Sequence, residues 1–163
     1  MLVSPPSATS HPSVAVAARI CADRGVNLTP LRRIVLEVLL GFHGPARAYE
    51  LIRALQDRLG KQVGPPTVYR ALDFLQQHGL VTRIESQNAF LPSSPDTVGR
   101  GAFLLCNDCG TSFQIDMTDL DAEFSRHAAL QGFQIARRII ELQGICRDCQ
   151  RAAADHLVRD DRP

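Results

Sequence analysis

The chain has 163 residues, enough for one domain or two small ones, and 45% of them are hydrophobic, as expected of a globular protein. No apolar run approaches the roughly 20 residues of a membrane span. Residues 1–13 are rich in Ser, Pro and Ala and lack the basic start of a signal peptide. We therefore expect a cytoplasmic protein without a membrane partner, beginning with a disordered tail over residues 1–13.

The net charge of +1 conceals an asymmetry between the two halves of the chain. Residues 14–90 hold ten basic and six acidic residues, whereas residues 101–163 hold seven basic and ten acidic residues. A basic half joined to an acidic half favours a polyanion-binding module attached to an assembly module.

Three helices are predicted in the first third of the chain. The first covers residues 14–24, the second begins at Thr29-Pro30, with a hydroxyl cap before a first-position proline, and the third covers residues 48–59. A glycine follows each helix and can end it. Apolar residues recur at helical spacing and are predicted to face one core: Val16, Ala17, Ile20, Cys21, Leu31, Val35, Val38, Leu39, Leu51, Ile52, Leu55 and Leu59. Cys21 is thus predicted to be a buried core thiol.

A fourth helix and a hairpin are predicted next. The helix opens at Pro65-Pro66, which cannot continue a preceding helix but can start a new one, and it ends at His78-Gly79. Val68, Leu72 and Leu75 form its inner stripe. Residues 80–85 and 89–91 are predicted to be two strands joined by a turn. Helices followed by a two-stranded wing indicate a winged helix-turn-helix, whose fourth helix would enter the DNA major groove.

The outer face of this fourth helix carries Thr67, Tyr69 and Arg70. An exposed arginine can make a bidentate contact to guanine, and tyrosine or threonine can reach a phosphate or a thymine methyl group. The same residues would also suit the ordinary surface of a small helical domain, and the pattern alone leaves both interpretations open.

Two C-x-x-C pairs carry the strongest chemical signal in the sequence. They are Cys106 with Cys109 and Cys146 with Cys149. Four thiolates match the four ligands of tetrahedral zinc, and Gly110 suits a tight turn after the first pair. The long segment between the pairs must contain a strand and a helix, so that one metal would join two distant turns of a small domain. The alternative is two reactive or disulfide-bonded pairs.

The segment between and around the cysteines is predicted to form an α/β unit. Residues 102–105 form a short apolar strand, residues 111–117 alternate, and residues 134–142 suit a further strand. Thr118 is predicted to cap a helix with Leu120, Phe124 and Leu130 facing inward. The predicted fold class is therefore α+β, with an N-terminal winged helix-turn-helix and a C-terminal α/β domain that holds a four-cysteine zinc site.

Several motifs together resemble the ferric uptake regulator family, and most closely its zinc uptake regulator branch. They are Cys21-Ala22-Asp23-Arg24, Leu28-Thr29-Pro30, Ala48-Tyr49-Glu50-Leu51 and the run from Pro65 to Leu75, followed by the double C-x-x-C. The resemblance implies a homodimeric DNA-binding repressor that recognises AT-rich inverted repeats. It implies DNA contacts by Tyr49, Thr67, Tyr69 and Arg70, and structural zinc on Cys106, Cys109, Cys146 and Cys149.

The resemblance also implies domain boundaries. The DNA-binding domain would cover residues 14–91, a hinge residues 92–101 and the dimerisation domain residues 102–156, with a tail over residues 157–163. A member of this family would act in regulation of transcription and zinc homeostasis, and would not be an enzyme.

The sequence departs from the family at a second, regulatory metal site. The places of its His, Cys and Glu ligands are held by Thr82, Ser93, Gly99, Arg100, Gly101, Phe103, Gln114, Arg137 and Arg138, and only an acid of a further site survives, as Asp121. Arginine cannot bind a cation, and the others are poor zinc ligands. We expect the usual regulatory zinc to be largely lost, with pairs between these arginines and Glu85 or Asp121 as a permanent substitute for it. The alternative is that the protein senses zinc through the four-cysteine site itself.

The five histidines, His11, His43, His78, His127 and His156, are not spaced to rebuild that site. A different class of function remains open: a thiol-based redox sensor, or a C-x-x-C metallochaperone or oxidoreductase. No thioredoxin-like βαβ pattern surrounds the cysteines, which counts against the enzyme.

Overall fold

A computed structural model describes residues 13–93 and 101–160, with the side chains of residues 154–160 excluded. The predicted tails, up to residue 12 and from residue 161, and hinge residues 94–100 lie outside this range. The chain divides into two compact units, and the division falls between residues 100 and 101. Among the described residues no helix is both long and apolar enough to cross a membrane.

The first unit contains four helices, and all four were predicted. They are α1 (Val14–Asp23), α2 (Pro30–Leu40), α3 (Ala48–Leu59) and α4 (Pro65–Gln77). The α1 helix is capped by the Ser13 hydroxyl, which accepts a hydrogen bond from the Val16 N–H at 3.3 Å. Thr29 occupies the cap position of α2, but its side chain makes no capping hydrogen bond. The predicted hydroxyl cap is therefore wrong, and Pro30 alone favours this helix start.

The core of the first unit lies where the apolar stripes of these helices meet. Cys21, which was predicted to be buried, is 1% exposed in this core. Leu36 is also fully buried, although the sequence stripe of α2 did not include it. The fully buried side chains include Val35, Leu36, Leu39, Leu51, Leu55, Val68, Leu72 and Leu75.

A three-stranded sheet completes this unit, with β1 (Ala46–Arg47), β2 (Val81–Ile84) and β3 (Ala89–Pro92) in the order β1-β3-β2. The sequence predicted only two strands. The short β1 strand pairs antiparallel with β3, Ala46 opposite Phe90, and so covers the edge of the wing. The β2–β3 turn contains Asn88 at φ 48°, a conformation that asparagine tolerates.

The second unit contains β4 (Gly101–Cys106), β5 (Ser112–Asp116), α5 (Thr118–Leu130), β6 (Glu141–Gly144) and α6 (Arg147–Asp160). The β4 strand lies in the middle, antiparallel to β5 and parallel to β6. The predicted strand over residues 134–142 is wrong for most of its length, because the pairing with β4 begins only at Glu141. The sequence analysis did not predict α6.

The start of α5 also differs from the prediction. Thr118 is the first helical residue and not the cap. The carboxylate of Asp116 provides the side-chain acceptor, taking a hydrogen bond from the Thr118 N–H at 2.9 Å. A charged side chain two residues earlier therefore satisfies the first N–H of this helix.

The apolar stripe of α5 is exposed. Leu120, Phe124 and Leu130 were predicted to face inward, but they are 36%, 40% and 70% exposed. Among the described hydrophobic residues of this unit, only Ala102, Leu105 and Cys106 are buried. The stripe is present as predicted, but a single copy of the unit offers no second layer to cover it. The exposed apolar residues of the unit are Leu120, Phe124, Leu130, Phe133, Ile135, Ile139, Leu142 and Ile145, here called the apolar face.

Candidate metal centre and nucleic-acid interface

The four cysteines of the second unit come together at one end of its sheet. Cys106 ends β4, Cys109 follows in the next turn, Cys146 lies just after β6, and Cys149 lies in the first turn of α6. Their four Sγ atoms all lie within 4.8 Å of one another. Two of the sulfur–sulfur distances are 3.8 Å, between Cys106 and Cys149, and 3.7 Å, between Cys109 and Cys146.

This arrangement fits one zinc ion. A tetrahedral site with zinc–sulfur bonds of about 2.3 Å requires sulfur atoms separated by about 3.8 Å. The distances of 3.8 Å and 3.7 Å meet that requirement, and both are far longer than the disulfide bond length of about 2.0 Å. All four cysteines are free thiols. When bound, zinc would bond all four sulfurs and join the end of β4 to the start of α6.

Backbone N–H groups favour the thiolate form of Cys106. The N–H groups of Cys109 and Cys146 point at its sulfur and lower the pKa of this thiol to about 6. The Cys146 N–H donates to it at 3.3 Å. In contrast, the neighbouring Cys146 and Cys109 thiols raise the pKa of Cys149. Because crowded thiols resist losing all their protons together, a cation is needed to hold four thiolates at this spacing.

The turn after the first cysteine pair depends on Gly110. Its N–H donates to the Cys106 carbonyl at 3.1 Å, and the Thr111 carbonyl accepts from the Cys106 N–H at 2.9 Å. Gly110 has φ 71°. No atom would obstruct a Cβ at this position, so the left-handed backbone is what calls for glycine. The sequence prediction of a tight turn here is confirmed.

The four residues predicted to contact DNA are all exposed on the first unit. Thr67, Tyr69 and Arg70 lie in the first half of α4, on the side away from the buried Val68 and Leu72. Within the described residues Arg70 makes no hydrogen bond or ion pair, so its guanidinium is available to a partner.

Tyr49 lies in the first turn of α3 and is 55% exposed. The Glu50 carboxylate orients this helix start by accepting a hydrogen bond from the Arg47 N–H at 2.7 Å. Arg47 belongs to β1, so the short strand that sequence reasoning missed connects Tyr49 to the wing. Two residues are too few to show a strand periodicity, and no sequence signal would have revealed this connection.

The residues at the positions of the family's second metal site make other contacts. Ser93 is 1% exposed, and its hydroxyl donates to the Gly79 carbonyl at 3.1 Å, while its N–H donates to the Leu80 carbonyl at 3.0 Å. Both polar groups of Ser93 therefore donate hydrogen bonds to backbone carbonyls just after α4. Thr82 is half-buried in β2.

At Gly101 a histidine would not fit. A Cβ atom there would lie 2.7 Å from the Ile115 carbonyl oxygen and 3.0 Å from the Gln114 amide nitrogen. Gln114 therefore covers the position, and Phe103 lies half-buried opposite it in β4. Gly99 and Arg100 lie outside the described residues.

One of the arginines predicted to replace metal ligands lies in an ion pair. Arg138 pairs with Asp121, and its guanidinium carbon lies 5.7 Å from the centre of the Phe124 ring. In the wing, Glu85 pairs with Arg83 at 3.4 Å. Among the described residues, the cysteine cluster is the one group of three or more metal-ligand side chains brought together.

The remaining candidate ligands are dispersed. His78 follows α4 and packs against Phe74 with the two rings tilted, and His127 lies beside Glu123 on α5. His11 and the side chain of His156 lie outside the described residues. Burial raises the pKa of the Cys21 thiol, which keeps it protonated in the core.

Comparison with known proteins agrees with this architecture. The model of the ferric uptake regulator family matches residues 23–143. This chain belongs to the ferric uptake regulator family. The matched range includes α4 and the first cysteine pair and ends before Cys146, so the geometry of the cluster is what brings the second pair into the site.

Within the ferric uptake regulator family, the chain is similar to zinc uptake regulators. It is 34% identical to the zinc uptake regulation protein of Escherichia coli K12 over 143 residues, which cover 86% of this chain and 83% of that protein. It is 26% identical over 129 residues to the zinc uptake regulation protein of Mycobacterium tuberculosis H37Rv, covering 77% of this chain and 96% of that protein.

Solved structures give the same result. A zinc uptake regulator complexed with zinc and DNA is 34% identical, with a TM-score of 0.82, over 86% of this chain and 95% of that chain. The structure of holo XcZur is 35% identical, with a TM-score of 0.75, over 85% and 96% of the two chains. The predicted membership of the family and the predicted fold class are confirmed.

Proposed function

We propose that this protein is a homodimeric, cytoplasmic transcriptional repressor that binds DNA through its first unit and carries one structural zinc in its second unit. It acts by binding and not as an enzyme. The exposure of Thr67, Tyr69 and Arg70 on α4, over a fully buried stripe on the opposite side of the helix, is the observation that carries the DNA-binding proposal. Its relatives include a zinc uptake regulator complexed with zinc and DNA.

DNA recognition would use α4 in the major groove, with residues 14–91 as the DNA-binding domain. Arg70 would read a base edge, Thr67 and Tyr69 would contact the backbone or a thymine methyl group, and Tyr49 would contact the adjacent DNA. The expected operator is an inverted repeat, because a homodimer presents two copies of α4 related by a two-fold axis. That it is AT-rich is implied by the resemblance to the family.

Arg70→Ala is expected to weaken binding to the operator by about 1–3 kcal/mol and to relax the preference at one base position. The physical reason is the loss of a bidentate base contact. Fluorescence anisotropy with an operator duplex and with single-base variants of it would measure both effects. Arg53→Ala, which removes the same charge from an exposed position on α3, is the matched control. Equal affinities of wild type and Arg70→Ala would contradict the role of Arg70.

The second unit, residues 102–156 by the proposed boundaries, would form the dimer. Its apolar face has eight exposed large hydrophobic residues, whereas only three described hydrophobic residues of the unit are buried. Such a surface requires cover, and a second copy of the same unit supplies a matching one. The hinge would lie within residues 92–101.

The regulatory zinc of the family would be absent or weakened in this protein. Ser93 donates its hydroxyl to Gly79, and Gly101 has no room for a larger side chain. The Asp121 carboxylate is already paired with Arg138. At each of these positions a contact within the protein takes the place of a metal ligand.

Native mass spectrometry across a buffered zinc series is expected to show one zinc per chain, retained at very low free zinc. Four thiolates bind zinc tightly, and no second donor set of comparable quality is brought together in the described residues. Operator affinity should not change with free zinc once this site is filled. A second, weaker zinc whose binding raises operator affinity would contradict the proposed loss of the regulatory site.

A further inference from the structure

The C-terminal end of α4 is contacted by arginines from two other helices. Arg24, the residue after α1, donates from Nη1 to the His78 carbonyl at 2.7 Å. Arg32, in the first turn of α2, lies with its guanidinium carbon 3.6 Å from the centre of the Phe74 ring. The two arginines thus reach positions one helical turn apart.

Further contacts hold Arg32 and Phe74 in place. The Arg32 guanidinium also donates to the Asn27 carbonyl at 2.7 Å, so it is fixed between the α1–α2 loop and α4. Phe74 in turn packs against the His78 ring, with 4.4 Å between the ring centres. Arg24, Arg32, Phe74 and His78 therefore form one continuous group of contacts, here called the arginine brace.

The chemistry of a helix end favours this arrangement. The carbonyl groups of the last turn lack intrahelical partners and carry partial negative charge. The His78 carbonyl belongs to the residue that caps α4, and a cationic donor forms a stronger hydrogen bond with it than a neutral one. A guanidinium over an aromatic face adds a cation–π attraction.

We propose that Arg24 and Arg32 are positioning residues for DNA recognition. They fix the orientation of α4 from its C-terminal end, so that Thr67, Tyr69 and Arg70 near its N-terminal end meet the bases correctly. The inference rests on the proposed DNA-binding function. A helix of 13 residues is about 20 Å long, so a small tilt at one end displaces the other end substantially.

A direct role in phosphate binding is the competing explanation, and salt dependence separates the two. An arginine that neutralises a DNA phosphate releases a counterion, and its removal lowers the salt slope of binding by about 0.9. A positioning residue changes the fit of α4 without changing the number of phosphate contacts, so the slope stays constant. Loss of a positioning residue also lowers the affinity for the operator more than the affinity for random DNA.

The test uses the full-length, zinc-loaded protein and its Arg24→Gln, Arg32→Gln and Phe74→Leu variants. Phe74→Leu removes the ring beneath Arg32 without altering charge, and leucine keeps the site apolar. Arg19→Gln on α1 and Arg33→Gln on α2 are controls, because they remove the same charge from exposed positions on the same helices. The probes are a duplex enriched by the wild-type protein from a random pool and a scrambled duplex of equal composition.

We expect Arg24→Gln and Arg32→Gln to bind the enriched duplex about tenfold more weakly than their controls, and Phe74→Leu about tenfold more weakly than wild type, from loss of a charge-assisted hydrogen bond or a cation–π contact. Affinity for the scrambled duplex and the salt slope should match those of the controls. Arg24→Lys should recover part of the affinity, because an ammonium can also donate to the His78 carbonyl. Circular dichroism should show unchanged helix content.

Three results would overturn the inference. Equal losses on both duplexes with a smaller salt slope would make the arginines phosphate contacts. Unchanged affinity in Phe74→Leu and Arg24→Gln would show that the brace does not position α4. A wild-type protein that enriches no duplex would overturn the DNA-binding proposal itself, and the inference with it.

Discussion

Cys106→Ser is expected to remove zinc from the cysteine cluster and to unfold the second unit, while the first unit stays folded. Zinc sites of this kind contribute about 10–16 kcal/mol to the folding of small peptides, more than the total stability of most domains. Serine cannot replace the thiolate that the N–H groups of Cys109 and Cys146 surround.

The small number of buried residues explains why the second unit would not stay folded without zinc. Ala102, Leu105 and Cys106 itself are the buried hydrophobic residues among those described in the unit. So small a core cannot offset the conformational entropy of ordering the unit. The first unit has its own core of buried leucines and valines, so it has no need of the metal.

Zinc content by native mass spectrometry and amide spectra of the two units by NMR would measure these effects separately. Cys21→Ser is the matched control, because it makes the same chemical change in the other unit. It should keep one zinc and should lower the stability of the first unit only. A Cys106→Ser protein that retains one zinc and a native spectrum in residues 101–160 would refute the structural role of the cluster.

Ile139→Asp is expected to convert the dimer into monomers at micromolar concentration. Ile139 is 49% exposed on the apolar face, in the segment before β6. A carboxylate placed in an apolar interface loses its hydration without gaining a partner. The residues that dominate an interface contribute about 2–4 kcal/mol each, and a loss of that size corresponds to a roughly thirtyfold to thousandfold weaker dimer.

Sedimentation equilibrium over a range of concentrations would measure the dissociation constant. Ala152→Asp is the control, since it adds the same charge at an exposed position of α6 outside the apolar face. The Ile139→Asp variant should also lose operator affinity, because a monomer contacts half of an inverted repeat. An Ile139→Asp protein that dimerises as tightly as wild type would place the interface elsewhere.

The sequence predicted the elements of the first unit well because local chemistry determines them. Pro30 and Pro65 start α2 and α4, glycines follow α2 and α3, and apolar residues at helical spacing meet in one core. The spacing of the cysteines likewise predicted a cluster that the structure brings within zinc-binding distances.

The second unit was predicted less accurately because its structure depends on contacts that a single chain does not contain. The stripe of Leu120, Phe124 and Leu130 indicates that these residues require burial, but it does not indicate by which surface. Residues 134–140 have strand composition, yet the β4 strand pairs only with Glu141–Gly144 on that side. Sequence periodicity carries no information on whether a pairing partner lies in the same chain.

The proposed DNA contacts and the proposed loss of the regulatory site depend on a different kind of reasoning. Exposure of Tyr49, Tyr69 and Arg70 is compatible with DNA binding, but their assignment came from resemblance to the family. The structure adds what the pattern omitted, namely the hydrogen bonds of Ser93 and the packing of Gln114 over Gly101.

The burial of Cys21 makes its thiol a probe of local unfolding in the first unit. The thiolate is the form that attacks alkylating reagents, and this thiol is both 1% exposed and held protonated by burial. Its alkylation rate therefore measures how often the DNA-binding unit opens, whereas labelling of the exposed Cys109 measures release of the metal. A single time course of mass increments would thus follow the two units independently in the unmodified protein.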